Sequence, residues 1–213
     1  IGNSSLFLES QNDLSSTEQR TIMTNIYEDS NWLLNMVENL LSVTRIQGDS
    51  LSINTTEEPV EEVVGEALEK LKKRYPDAAI RVKIPEEFLM IPMDAVLIEQ
   101  VTINLLENAI VHSGSILPID FIVEDHPEHV SFIVRDYGKG LSEEKLQNLF
   151  ETGTYNNSRS SDSRKGMGIG LSICKTIITA HHGTLNGRNH AEGAEFCFTL
   201  PKNTGKDMDH RNE

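Results

Sequence analysis

The sequence predicts an α+β fold: a two-layer α/β sandwich, a mixed sheet with helices on one face, preceded by a partial antiparallel helical hairpin. Three observations carry this. Apolar residues recur in helical steps up to Gly48, after which short strands and helices alternate. The later elements include strands in succession as well as strands separated by helices, which builds a mixed sheet. And 213 residues suffice for one full core plus a smaller appendage. The expected divisions are residues 1–48, 49–201 and a polar tail at 202–213, which lacks periodicity and is expected to be disordered.

In the first division Ser16 and Gln19 form a capping box that opens a helix. Ile22, Ile26, Leu33, Met36, Leu40 and Val43 then follow steps of four and three, with Asp29 the polar interruption and Gly48 the stop. The helix would span roughly 30 residues, about 45 Å. Leu34, Val37 and Leu41 widen its apolar stripe, so it needs partners. Residues 3–12 read as the end of a preceding antiparallel helix, and two such hairpins would make a dimeric four-helix bundle.

In the second division Val60 to about Arg74 reads as an amphipathic helix after Pro59. Ile80, Val82 and Ile84 alternate with charged residues as a half-buried strand. Asp94 caps a long helix running to about His112. Ile119–Glu124 and Val130–Asp136 form a strand hairpin. A helix at Ser142–Phe150 follows, then a polar stretch from Thr152 to Lys165 that reads as a lid. A helix over about Gly168–His181 and strands at Thr184–Asn189 and Glu195–Leu200 complete the core.

With 19 basic and 33 acidic residues the net charge is −14, which repels a polyphosphate backbone and argues against nucleic acid as a partner. Cys174 and Cys197 have no metal or CxxC spacing and read as small core residues in a reducing compartment. The apolar stretch at Phe88–Met93 is too short to span a bilayer. The start at Ile1, without methionine, signal peptide or cap, suggests a piece of a longer protein.

Three motifs suggest chemistry. Asn104, Asn108 and His112 share one helix face at spacings of four, and asparagine oxygens suit a hard cation such as Mg²⁺ that takes its other ligands from phosphates. Asp136 ends a strand before Gly138 and Gly140; a carboxylate there can accept from an exocyclic amine, selecting adenine over guanine, while the glycines admit a planar ring. Gly166, Gly168 and Gly170 open a helix whose backbone N–H groups can receive phosphates, with Arg164 and Lys165 as charged donors. Each motif alone is common turn or linker chemistry. In this order they predict binding of ATP with Mg²⁺. His181 and His182 at a helix end carry no catalytic assignment, Trp32 and Tyr137 read as packing residues, and His126, His129 and His190 have no metal spacing.

On these residues the chain resembles the ATP-binding catalytic part of the bacterial sensor histidine kinases of two-component systems, within the superfamily that includes gyrase, Hsp90 and MutL. Asn104–Asn108 resembles the N box, Asp136–Gly140 the first glycine box and Gly166–Leu171 the second. Leu149-Phe150-Glu151 resembles the start of the F box, and Gly193–Pro201 the closing strand. The resemblance runs from about residue 14 to 201. Trp32–Ile46 and Glu61–Leu68 are further similar to the KdpD-like subfamily, which controls potassium uptake. The resemblance implies ATP and Mg²⁺ as cofactors, with Asp136, Gly138 and Gly140 at the adenine. Asn108 and Asn104 would hold the metal, with His112 nearby. Lys165, Gly166, Met167, Gly168, Gly170 and Leu171 would line the phosphates, and Thr199 of the closing strand would complete the site. It also implies a homodimer through the hairpin, a response regulator as partner, and a cytoplasmic location beneath an inner membrane reached only through segments absent from this chain.

The departures from the family are specific. None of the seven histidines lies in a phosphoacceptor H box, so the acceptor is expected on a missing first helix, and the fragment is expected to bind ATP without autophosphorylating. No residue of this chain is therefore assigned a catalytic role. Gly153 stands where the F box usually has a second Phe, and Val111 where many members carry Lys. These keep a non-catalytic nucleotide-binding dimeric signalling module as the alternative. ATP-hydrolysing clamps of the superfamily carry a water-activating glutamate where this chain has Asn104, which argues against that class.

Overall fold

The computed structural model describes residues 14–27, 30, 37, 53–150 and 169–203. Two compact units divide the chain, Ile1–Leu41 and Ser42–Glu213. In the first, helix α1 covers residues 16–27. Its capping box sits one residue earlier than expected: Glu18 accepts from the Ser15 backbone N–H (2.9 Å) and hydroxyl (2.6 Å), and Ser15 Oγ accepts from Glu18 N. Gln19, the expected partner, instead donates to the Leu14 carbonyl. The preceding helix, most of the long helix including Trp32, the polar stretch at 152–165 and nearly all of the tail lie outside the described residues.

The second unit contains the sheet. Its elements are β1 (Thr56–Pro59), α2 (Val60–Arg74), β2 (Ile80–Lys83), β3 (Met90–Met93), α3 (Ala95–Ser113), β4 (Ile119–Asp125), β5 (His129–Arg135), α4 (Glu143–Gln147), α5 (Ile169–Ala180), β6 (Thr184–His190) and β7 (Gly193–Pro201). The main sheet has the order β2-β4-β5-β7-β6, with β2 parallel to β4 and the other neighbours antiparallel. The mixed α+β sandwich expected from the sequence is thus the observed fold. β1 and β3 form a separate antiparallel pair that the periodicity did not reveal. α4 is shorter than expected, and Ser142 caps it by accepting from Lys145 N.

One face of the sheet is apolar. Phe121 and Val123 of β4, Phe132 and Val134 of β5, Phe196 and Phe198 of β7 and Leu185 of β6 fall in register on that face. They join the buried residues of α3 and α5 in one core. Phe132 and Phe198 stack with ring centroids 4.5 Å apart. α2 packs along α3 and adds Val63, Val64, Ala67 and Leu71 to the core. Enclosed by α2, α5 and the sheet, α3 is buried over almost all of Leu97–Leu106, which is why it reads as hydrophobic all round rather than striped.

The opposite face carries charge. One row crosses all five strands, pairing Arg81 with Asp120, Asp120 with Arg135, Arg135 with Glu195 and Glu195 with Arg188. Arg81 bridges Asp120 through Nε (2.6 Å) and a second nitrogen (3.0 Å), and Glu195 accepts from both Arg135 and Arg188. Burial pushes the Glu195 carboxyl up, but the two arginine hydrogen bonds outweigh it and hold the group below its usual range.

Candidate functional site

α3 supplies the asparagines. Asp94 starts it, its side chain accepting from Leu97 N (3.1 Å), and Gly114 ends it in the left-handed region. Asn104 is buried against α5: Oδ1 accepts from Gln100 Nε2 (3.2 Å) and Nδ2 approaches Cys174 Sγ (3.7 Å). Gly170 lies beside it, where a Cβ would sit 3.9 Å from Asn104 Cγ. Burial pushes the Cys174 thiol up to about 12, so it stays protonated. Asn108, one turn on, is half-buried, and its amide has no hydrogen-bond partner among the described residues. Glu107 is paired with Arg74 of α2 and is not poised beside the asparagines as a base. His112, a further turn along the Asn108 face, lines a cavity of about 570 Å³.

That cavity lies between the end of α3 and the turn after β5, with Ile116, Tyr137, Gly138 and Lys139 also on its wall. The turn is pinned from several strands. Asp136 is buried; its N–H donates to the Ala194 carbonyl (3.0 Å), while its Oδ1 accepts from Gly138 N (2.9 Å) and Ala194 N (3.4 Å). Oδ2 makes no hydrogen bond to any described residue. His190 Nε2 lies 2.8 Å from the Asp136 carbonyl, and Asn189 bonds both the N–H (2.8 Å) and the carbonyl (2.7 Å) of Leu141. Gly138 lies so close to Ser113 that a Cβ would fall 2.2 Å from its carbonyl oxygen, and Gly140 has φ +69°.

Tyr137 does more than fill space. Its hydroxyl donates to Asp120 of the charged row, its ring meets His190 edge-on, and the Arg81 guanidinium stands 5.9 Å from the ring centre. The hydrogen bond to Asp120 pushes the Tyr137 phenol up. Burial pushes the Asp120 carboxyl up, but the bonds from Tyr137 and Arg81 more than offset it and hold the group low. From the sequence Tyr137 reads only as packing and His190 only as a histidine without metal spacing, while Asn189 and Asp120 carry no signal, because their partners are distant along the chain.

Among the expected site residues, Asn108, His112, Asp136, Gly138 and Gly140 belong to this region of the fold. Gly170 and Leu171 open α5 within the described residues. Lys165, Gly166, Met167 and Gly168 lie outside them. Thr199 lies toward the far end of β7 from Ala194. It pairs with Ser131 and Thr184, and its hydroxyl is 2.9 Å from that of Thr184. The Asp136 end of β7 is at Ala194, about 16 Å away at strand rise. No group of three or more His, Cys, Asp or Glu suited to a metal occurs among the described residues. No described helix is long and apolar enough to cross a membrane.

Residues 93–204, just over half of the chain, match the family described as histidine kinase-, DNA gyrase B-, and HSP90-like ATPase. The sensor protein KdpD of Clostridium acetobutylicum is 40% identical over 202 residues, covering 94% of this chain and 22% of that protein. The chain spans about a fifth of the length of the two KdpD relatives, from Clostridium acetobutylicum and Escherichia coli. The solved catalytic domain of histidine kinase ThkA shares 31% identity at a TM-score of 0.59, over 70% of this chain and 99% of that one. ThkA in complex with response regulator protein TrrA has the same fold at a TM-score of 0.69 and 23% identity, over 94% of this chain and 57% of that one. The chain belongs to the histidine kinase-, DNA gyrase B- and HSP90-like ATPase family, as an ATP-binding catalytic domain similar to those of the KdpD sensor kinases.

Proposed function

We propose that this domain binds ATP with Mg²⁺ and donates the γ-phosphoryl to a histidine outside these residues, for relay to a response regulator, in a sensor of potassium or osmotic state. The observation that carries the nucleotide reading is Asp136. Its carboxylate is buried at a turn fixed on several sides, with Oδ2 open to accept from the exocyclic amine of adenine. Gly138 lets the turn close on the Ser113 backbone, and Gly140 takes the left-handed conformation the turn requires beside Asn189.

Asn108 fits the metal: a neutral oxygen donor, half-buried, with an unengaged amide, on the helix face that leads to the cavity through His112. Held by Asn108, Mg²⁺ would supply positive charge to offset the phosphates beside a protein of net charge −14. The chain's own task is to hold the adenine, aim the phosphates across the start of α5 and present the terminal phosphoryl in line. The nitrogen of the acceptor histidine would attack phosphorus as ADP leaves. Because no histidine here has an H-box setting, that acceptor comes from another segment.

Calorimetric titration with a non-hydrolysable ATP analogue, with and without Mg²⁺, tests this. The expected result is adenine-selective, magnesium-enhanced binding. Asp136→Asn should weaken it about tenfold to a hundredfold, the value of hydrogen bonds to a charged acceptor. Asn108→Ala should remove the magnesium enhancement. Unchanged affinity in the first variant would sink the adenine assignment, and intact metal dependence in the second would sink the ligand assignment.

A further inference from the structure

α3 and α5 meet mainly through apolar side chains, yet polar bridges cross between them at two places among the described residues. At one end His181, 3% exposed just after α5, accepts the Asp94 backbone N–H on Nε2 (3.0 Å) and directs Nδ1 to the Ile177 carbonyl (2.8 Å). Both ring nitrogens are engaged, and only the neutral ring with its proton on Nδ1 satisfies both. About 15 Å further along α3, the Gln100–Asn104–Cys174 chain makes the second bridge, with Gly170 packed beside it. The two contacts run in opposite chain directions, so the helices are antiparallel. Asp94 of the first bridge is the cap of α3, and Gly170 beside the second lies in the first turn of α5.

We infer that His181 and Asn104 are positioning residues that pin the register of α5 against α3 and so set Asn108 opposite the first turn of α5. Apolar packing sets how far apart two helices lie, but it repeats every turn and resists sliding weakly. Directed bonds to single atoms remove that freedom, as polar residues fix register in helical assemblies. On this account the Asn104 amide is spent on the helix contact, and the metal falls to Asn108 alone. The inference rests on the nucleotide reading above.

The pair His181→Asn and His181→Gln tests it. Asparagine is too short to reach the Asp94 N–H, whereas the glutamine oxygen can take the place of Nε2. In His181→Asn the affinity for Mg²⁺ with the non-hydrolysable ATP analogue should fall about tenfold, as when an outer support of a metal site is lost, while adenosine binding stays within about twofold. His181→Gln should restore the affinity. Circular dichroism and melting temperature would establish that both variants fold. Wild-type affinity in His181→Asn, an equal loss for adenosine, or failure of His181→Gln to rescue would each overturn the pins. A wild-type chain that binds neither probe would overturn the nucleotide reading itself, an outcome distinct from failed pins, which leave wild-type binding intact.

Discussion

The turn after β5 and the α3–α5 pair hold their functional side chains by opposite means. The turn has no repeating hydrogen bonds of its own, so Ala194, His190, Asn189 and Asp120 tie its groups to β4, β6 and β7 of the sheet. The helices satisfy their own backbones and are located by bulk packing, with two polar bridges to stop them sliding. Each half is therefore vulnerable in its own way. A turn pinned point by point fails through one atom in the wrong place. A packed helix pair fails through loss of register or charge.

The largest effect should come from breaking the turn. Gly138→Ala would drive a Cβ to within 2.2 Å of the Ser113 carbonyl, which is backbone and cannot swing away. Overpacking of this kind should cost about 3 kcal/mol by urea titration, with loss of adenosine binding. Preserved binding would mean that the turn and the end of α3 are free to separate.

Acidification should strike the helix pair instead. Burial pushes the His181 ring below its ordinary value of 6.5, against opposing help from the Ile177 carbonyl and the Asp94 carboxylate; His182 beside it also disfavours charge. The unfolded chain takes up a proton near 6.5 while the fold keeps the ring neutral. The stability from the neutral ring is therefore fully present above that pH and is lost as pH falls below it toward the folded value. The slope from this group is at most about 1.4 kcal/mol per pH unit. Urea titrations from pH 7.5 down to 5 should show that slope in wild type and its absence in His181→Gln. Equal slopes would remove His181 from the account.

The smallest effect sharpens the contrast. Tyr137→Phe deletes one of several pins on the turn and leaves the ring in place, so adenosine affinity should fall about threefold, the value of one net hydrogen bond. A loss as large as that of Gly138→Ala would show that the Asp120 link dominates the turn.

Much of the fold was legible because its helices and central strands are long enough to show a period. Val60–Arg74, the Asp94 cap and the β4–β5 hairpin follow from spacing alone. β1 and β3 did not show, since Pro59 and Pro92 interrupt short segments with no room for alternation. The cap of α1 slipped by one because two boxes overlap in the sequence, and the charged Glu18 outcompetes Gln19 at a helix start. The resemblance identified the closing strand, but no motif within it says which of its residues face a nucleotide, so Thr199 stays an expectation. The pins on the turn were invisible for a simpler reason: Asp120, Asn189 and His190 become its neighbours only once the sheet is assembled.

The charged row on the helix-free face has a consequence for assembly. Its signs run plus, minus, plus, minus, plus from β2 to β6, so exchanging any two adjacent strands would set like charges side by side. A slip of one residue in any strand would turn its charge toward the aromatic layer beneath the helices. The row therefore selects against neighbours of like charge, and the apolar face alone, built of interchangeable Phe, Val and Leu, carries no such instruction.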